Sequence, residues 1–242
     1  MVLLKRDVVY ILKNDVSSDE IKYSIRSVVE NFPYRKIVFV GGCPPDLKPD
    51  LYIPHEQVGI TKWERVRSSL MKVLICDEIS DEFFLFNDDF FIIKKQPQKF
   101  VNFADGTLEY RINGLKRKVG SSSYVRQLES VKKFLERKQK DSVNFAVHLP
   151  FLVSKNDALA LLTEYPKIEM FRSFYGNMLD VPYVQHHDVK IYDLESLPVA
   201  DDFLSTTDNS FRSGAVGEWI RKRFPDPSKY EVGNEKSEIR AF

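Results

Sequence analysis

Cysteine is scarce in this chain, with two in 242 residues, Cys43 and Cys76. They stand in unrelated contexts with no metal-type spacing, so they read as reduced thiols of a cytoplasmic protein rather than a disulfide framework. Charge of one sign is also lacking. The formal net charge is +1, so no global field draws the protein onto nucleic acid or an anionic membrane. No run is apolar and long enough to span a bilayer. The opening stretch, MVLLKRDVVYILKND, is apolar only briefly and carries Lys5, Arg6 and Asp7, which argues against a signal peptide and for a first strand. There is no P-loop, no Gly-x-Gly-x-x-Gly and no nucleophile elbow. Gly41-Gly42 is too little for a phosphate cradle. No internal repeat or low-complexity tract occurs.

What is present is the alternation of an α/β protein. Val8 to Leu12 is a short β-branched run, and Ser17 or Ser18 offers a cap for the helix that follows. Ile21, Ile25, Val28, Val29 and Phe32 recur at helical spacing until Pro33 ends the pattern. Lys36 to Val40 and Leu51 to Ile53 read as strands. Lys62 to Cys76 reads as an amphipathic helix with Trp63, Val66, Leu70, Val73 and Leu74 on one face. Residues 102 to 120 are polar, with Asp105-Gly106 and Asn113-Gly114 as turn signals, and predict a hairpin or loop. Helices are expected over 125–137, 155–164, 169–179 and 212–224, and strands over 144–153 and 184–192. The length suits a single domain over 1–232 with a polar tail at 233–242. Strands alternating with helices predict a parallel sheet in an α/β fold.

One stretch breaks the pattern. FFLFNDDFFI, residues 83 to 92, is an apolar run interrupted by Asn87, Asp88 and Asp89. Unpartnered carboxylates are not buried without large cost. Two readings follow: the chain turns here, since Asn-Asp pairs favour turns, or a cation binds here. Adjacent carboxylates at a strand end suit a hard divalent cation such as Mg2+ or Mn2+. Nucleotide-sugar transferases of the GT-A type use a short acidic motif in this way, the cation neutralising the donor's pyrophosphate.

Separated blocks, in order along the chain, also carry a resemblance. They are DVVYILKND at 7–15 with EIKYSIRSVVENFPYRKIVFV at 20–40; DEFFLFNDDFFI at 81–92; HLPFLVSKNDALALLTEYPKIEMFRSFYGN at 148–177; and FLSTTDNSF at 203–211 with FPDPSKYE at 224–231. Together they resemble the Stealth-type sugar-phosphate transferases, which include capsular-polysaccharide phosphotransferases and N-acetylglucosamine-1-phosphotransferase. The chain departs from that pattern at Ile11, in the helix segment KWERVRSSLMK and in Thr207-Asp208-Asn209. The resemblance and the acidic motif imply a compact, divergent relative of phage or bacterial type, with a GT-A-like, Rossmann-like mixed sheet flanked by helices, that takes a nucleotide-sugar donor and transfers sugar-1-phosphate to a hydroxyl.

By that resemblance Asp88 and Asp89 hold the metal and donor phosphate, and Asn87 orients them or the sugar. His148, in the family's His-x-Pro, takes a proton from the acceptor, which a neutral imidazole can do near pH 7. Arg172 is either a phosphate clamp or an ion pair on a helix face. Tyr175 and Asn177 are donor-side candidates on the same segment. Asp7 is carried by resemblance alone. Asp208 is a metal ligand, a base or a helix cap. Lys62 and Arg65, three apart, share a helix face that is either solvated or turned to a nucleotide. His186, His187 and Asp188 form another polar cluster; His186 and Asp188 fall on one face of a strand and offer metal ligation or a plain sheet edge. Basic KRK at 116–118 is a solvated face or a contact for an anionic acceptor.

The acceptor stays open among a polysaccharide, another polymer and a modified nucleic-acid base. So do three alternatives: transfer of the sugar alone, a nuclease-like phosphoryl enzyme, and a non-catalytic binding module of the same fold.

Overall fold

A computed structural model describes residues 6–15, 19–198 and 201–233. The expected cap at Ser17 or Ser18 and the tail from residue 234 lie outside them. In chain order the elements are β1 (Arg6–Leu12), α1 (Glu20–Asn31), β2 (Tyr34–Gly41), β3 (Leu51–Pro54), α2 (Lys62–Leu74), β4 (Glu82–Phe86), β5 (Phe90–Ile92), β6 (Asn102–Ala104), α3 (Leu108–Val119) and α4 (Ser123–Arg137). There follow β7 (Phe151–Ser154), α5 (Lys155–Glu164), α6 (Phe171–Met178), β8 (Tyr183–Gln185), β9 (Lys190–Ile191), β10 (Phe203–Thr206), α7 (Asp208–Ser213) and α8 (Ala215–Arg223). The fold is α/β, with parallel and antiparallel strands flanked by helices. The chain divides into two compact units, Met1–Glu56 with Phe86–Gln98 and Lys190–Phe242, and Gln57–Leu85 with Lys99–Val189.

In the first unit β1 and β2 run parallel, with Val8 opposite Ile37 and Leu12 opposite Gly41, and β3 continues beside β2. Val8, Val9, Tyr10 and Ile37 to Val40 are fully buried, as expected of parallel strands covered on both faces. Helix α1 is the crossover, and it also carries a polar ridge. Ser27 Oγ accepts from the Ile92 amide at 2.9 Å, Asn31 Nδ2 donates to the Ile92 carbonyl at 2.8 Å, and Ser24 donates to the Phe90 carbonyl. Three helix side chains thus satisfy β5 as a neighbouring strand would. On its other edge β5 pairs antiparallel with β10, which pairs parallel with β9. Phe91, Leu204, Phe211, Val216, Ile220 and Phe224 form the core under this sheet. Helix α8 packs tightly on α7 because residue 217 is glycine: a Cβ there would lie 1.7 Å from the Phe211 carbonyl oxygen. Arg26 holds Glu231 with two hydrogen bonds of 2.9 and 2.7 Å and fixes the C-terminal segment.

In the second unit β4 and β7 pair antiparallel, Phe83 opposite Val153. Residue 155 opens α5, and its buried ammonium donates to the carbonyls of Cys76 and Ile79 beyond the C-terminal end of α2, where backbone oxygens lack helical partners. Asn102 closes β6 onto Leu152 through both its amide atoms. Strands β6 and β8 run parallel.

Four expectations are corrected. Residues 108–119 form helix α3, not a hairpin or loop. Thr107 caps it by accepting from the Tyr110 amide, and Leu108 and Ile112, four apart, are buried, so packing outweighs the Asn113-Gly114 turn signal. The strand expected over 144–153 exists only at its end, as β7. Before it, the Asn144 side chain accepts from the Ala146 amide, a local bond that competes with a ladder. The strand expected over 184–192 is split into β8 and β9 around His186, His187 and Asp188. The helix expected over 212–224 starts earlier and is broken at Gly214, whose extended backbone ends α7 and starts α8.

Candidate functional site

Both readings of FFLFNDDFFI meet at its acidic turn, which lies in the first unit. The run is two strands, β4 and β5, and Asn87, Asp88 and Asp89 form the turn between them, closed by the Phe90 amide donating to the Asn87 carbonyl. A surface turn would leave its carboxylates in water. Here only Asn87 is exposed, Asp88 is half-buried, and Asp89 is 8% exposed. The α1 ridge holds the strand that follows through Ser24, Ser27 and Asn31.

The two oxygens of Asp89 differ. Oδ2 accepts from the Lys190 ammonium at 2.6 Å, and both side chains are largely buried. Oδ1 is buried and has no hydrogen-bond partner. The lattice of strands explains the pairing: Ser205 in β10 lies opposite Phe90 on one side and Lys190 on the other, so a long side chain from β9 reaches the residue before Phe90. Ser205 Oγ is itself buried and unpartnered. Glu20, the first residue of α1, is 2% exposed and accepts a 2.9 Å bond from the Thr206 hydroxyl at the end of β10. Asp208 is exposed at the start of α7, where Thr207 and Ser210 form the capping box. It is therefore not the cap itself, though a carboxylate there is favoured by the helix dipole.

These carboxylates feel one another. Burial pushes the Glu20 carboxyl up to about 7, and the charges of Asp89, Asp88 and Asp208 add to it against the Thr206 bond. Burial also raises Asp88, with Asp89 and Asp208 adding and Lys13 opposing. Burial would lower Lys190, but the charge and hydrogen bond of Asp89 prevail and raise it. The first unit thus gathers Glu20, Asp88, Asp89 and Asp208 against Lys190 and Lys13. A buried carboxylate oxygen with no donor, among like charges, is what an absent hard cation would satisfy. Oxygen donors with negative charge in excess are the kind that a hard cation such as Mg2+ or Mn2+ takes. Asp88 and Asp89, the latter through Oδ1, are the residues that could hold it.

Asp7 is placed elsewhere in the chemistry of this unit. It is fully buried, and Arg35 grips both its oxygens at 2.7 and 2.6 Å, the geometry of a structural ion pair.

The second unit holds the other candidates. His148 lies in the irregular segment before β7. Its Nδ1 is 2.9 and 3.1 Å from the two oxygens of Asp188, whose Oδ1 also accepts from the His148 amide. Arg111 approaches the same carboxylate at 3.4 Å. Burial pushes Asp188 up, but the bonds and charge of His148, with Arg111 behind, hold it below the usual carboxylate range. Asp188 thereby fixes the orientation of the His148 ring through Nδ1. Asp188 serves His148 here. His186 points its Nδ1 at the His187 carbonyl, and the two imidazoles stack 4.9 Å apart.

Arg172 positions that histidine segment. Its guanidinium donates to the carbonyls of Val147 and Leu149, the residues on either side of His148, at 2.9 and 2.8 Å, and to Leu85 at 3.3 Å. Arg172→Met is expected to lower stability by about 2–3 kcal/mol, because it leaves inward-facing carbonyls without a donor. Urea unfolding checks this; an unchanged midpoint would mean that the side chain is not needed in that place. Tyr175 is buried, accepts from the Ser154 amide and is pushed up to about 12 by that burial. Asn177 clips the backbone of Val143 at both its amide and carbonyl. Lys62 lies over the Trp63 ring at 5.4 Å and is exposed; Arg65 is exposed and donates to the Gly59 carbonyl. Residues 116–118 are on α3, in its last turn.

Sequence reasoning missed Glu20, Lys190, Ser205 and Thr206. Glu20 opens a predicted helix and Lys190 sits in a predicted strand, so neither carries a local anomaly like that of Asp88-Asp89. The pairing of β5, β10 and β9 brings Lys190, Ser205 and Thr206 towards the acidic turn, and the seating of α1 on β5 brings Glu20 to Thr206.

No family model matches the chain, and no curated protein matches it in sequence. Among solved structures, the chain is similar to the galactosyltransferase LgtC in complex with donor and acceptor sugar analogs, at 12% identity and a TM-score of 0.40, over 77% of this chain and 75% of that one. An active-site mutant of LgtC matches at 12% identity and a TM-score of 0.41 over the same shares. The glycosyltransferase GlyE of Streptococcus pneumoniae TIGR4 matches at 13% identity and a TM-score of 0.35, over 76% of this chain and 45% of that one. Among the described residues no helix is long and apolar enough to cross a membrane.

Proposed function

We propose that this chain is a metal-dependent transferase of GT-A-like fold that takes a nucleotide-sugar donor and acts on a hydroxyl of a polymeric acceptor. The observation that carries the reading is Asp89 Oδ1, a buried carboxylate oxygen with no donor, beside Asp88 and within the field of Glu20 and Asp208. A structural turn has no use for such an oxygen, which argues against a binding module that keeps the acidic turn for structure alone. Bound there, Mg2+ or Mn2+ would neutralise the donor's pyrophosphate and steady the departing nucleotide. Asp88 and Asp89 hold the site, and Asn87, exposed on the same turn, faces donor atoms. His148, oriented by Asp188, is the group suited to accept a proton from a hydroxyl. The Stealth resemblance makes the transferred group sugar-1-phosphate: the acceptor oxygen bonds to the β-phosphorus, and the nucleoside monophosphate leaves with the bridging oxygen. A product lacking phosphorus would instead mean transfer of the sugar alone.

The test is a panel of nucleotide-sugars against thermal unfolding, with and without Mn2+, on wild type and on Asp88→Ala/Asp89→Ala. A ligand that binds only the native state must raise its stability. A metal-dependent rise with one donor, absent from the double variant, is expected. No rise with any donor would overturn the proposal.

A further inference from the structure

We infer that Lys190 is the site's stand-in cation, a positioning residue that holds Asp89 when the site is empty and moves to the donor's phosphates when it is filled. The inference rests on the reading of the acidic turn given above.

Three observations carry it. The Lys190 ammonium lies 2.6 Å from Asp89 Oδ2, with the two side chains 15% and 12% exposed, so the pair is tight and shielded. It takes only one of the two oxygens and leaves Oδ1 without a donor, so the bond orients the carboxylate without completing it. And Lys190 sits on β9, whose pairing with β10 is only two residues long, Ser205 with Lys190 and Thr206 with Ile191. Its backbone is fixed while its four-carbon stem has rotamers to spare.

The consequence is electrostatic. Glu20, Asp88 and Asp89 repel one another, and Lys190 is in contact with Asp89 and within the field of Glu20. A divalent ion on Oδ1 would take over that attraction and repel a neighbouring ammonium. Lysine binds phosphate as a movable point charge, so the displaced ammonium turns to the anion that arrives with the metal. Metal alone must therefore displace Lys190 with nothing to receive it, and binds weakly. Metal with a nucleoside diphosphate gives the ammonium a new partner, and the two ligands bind with positive coupling, which must be reciprocal.

The experiment is a titration of free Mn2+ by its electron paramagnetic resonance signal, with and without ADP, CDP, GDP or UDP, corrected for the nucleotide blank. In wild type, one nucleotide should tighten Mn2+ binding about tenfold or more. In Lys190→Met, Mn2+ alone should bind about tenfold more tightly than in wild type, and the nucleotide's effect should vanish. Lys190→Arg keeps the charge on a side chain of similar reach and should retain the coupling, which covers the case in which the methionine variant does not fold. Weaker Mn2+ binding by Lys190→Met, or coupling that survives the substitution, would overturn this inference and leave the metal site standing. Wild type that binds no Mn2+ with any nucleotide would overturn the metal site as well.

Discussion

Asp89→Asn is expected to lower transfer at least a hundredfold while leaving the overall fold in place. A factor of a hundred corresponds to about 2.7 kcal/mol of lost transition-state stabilisation, well within what a displaced metal ion withholds. The substitution keeps size and shape but removes the charge that Oδ1 offers. It also strands Lys190, a largely buried ammonium left facing a neutral amide. Lost activity could then be confused with lost stability. The double variant Asp89→Asn/Lys190→Met separates the two. It removes both charges, so stability should recover towards wild type while activity stays absent. Calorimetric unfolding and initial rates, taken on both variants well below their melting temperatures, read the two effects apart. Recovery of activity in the double variant would mean that Asp89 serves only to neutralise Lys190.

The second large effect has the opposite sign. Glu20→Gln is expected to stabilise the protein in metal-free buffer above neutral pH. Glu20 is raised from its usual value to about 7 in the folded protein, by burial first and then by Asp89, Asp88 and Asp208. Between pH 4.5 and 7 the folded state therefore keeps a proton that the unfolded state has lost. Stability falls as pH rises through that window, and above it the whole penalty is present. The shift sets an upper figure of about 3 kcal/mol. Glutamine keeps an oxygen for the Thr206 hydroxyl and carries no charge. Urea unfolding should show little difference between the two proteins at pH 5 and a more stable variant at pH 8. Adding Mn2+ with the matching nucleotide should shrink the gap, because the carboxylate then faces a cation. A variant less stable than wild type at pH 8 would mean that the ionised Glu20 already has a sufficient partner.

Asp88 and Asp89 were legible in the sequence because charge in the middle of an apolar run is a local anomaly. The strands and helices of the first seventy-odd residues were legible for a related reason, since their apolar periodicity is uninterrupted. Helix α3 was not, because Asn113-Gly114 reads as a turn and only burial of Leu108 and Ile112 decides otherwise. The stretches around His148 and Asp188 read as continuous strands. What breaks them is a set of side-chain bonds, the Asn144 oxygen accepting from the Ala146 amide and Asp188 from His148, whose partners are up to forty residues away. The same holds for Glu20 and Lys190. Lys190 is placed by the register of β5, β10 and β9 and Glu20 by the seating of α1 against β5 and β10, and contacts between distant segments leave no trace in either segment alone.

The most direct test of the account is anomalous diffraction at the manganese edge, from crystals grown with Mn2+ and the nucleoside diphosphate that stabilises the protein. A manganese peak is expected at coordination distance from Asp89 Oδ1, with Asp88 beside it and the Lys190 ammonium drawn off Oδ2 towards a phosphate. A manganese peak bound away from Asp88 and Asp89, with Lys190 still seated on Asp89, would contradict it.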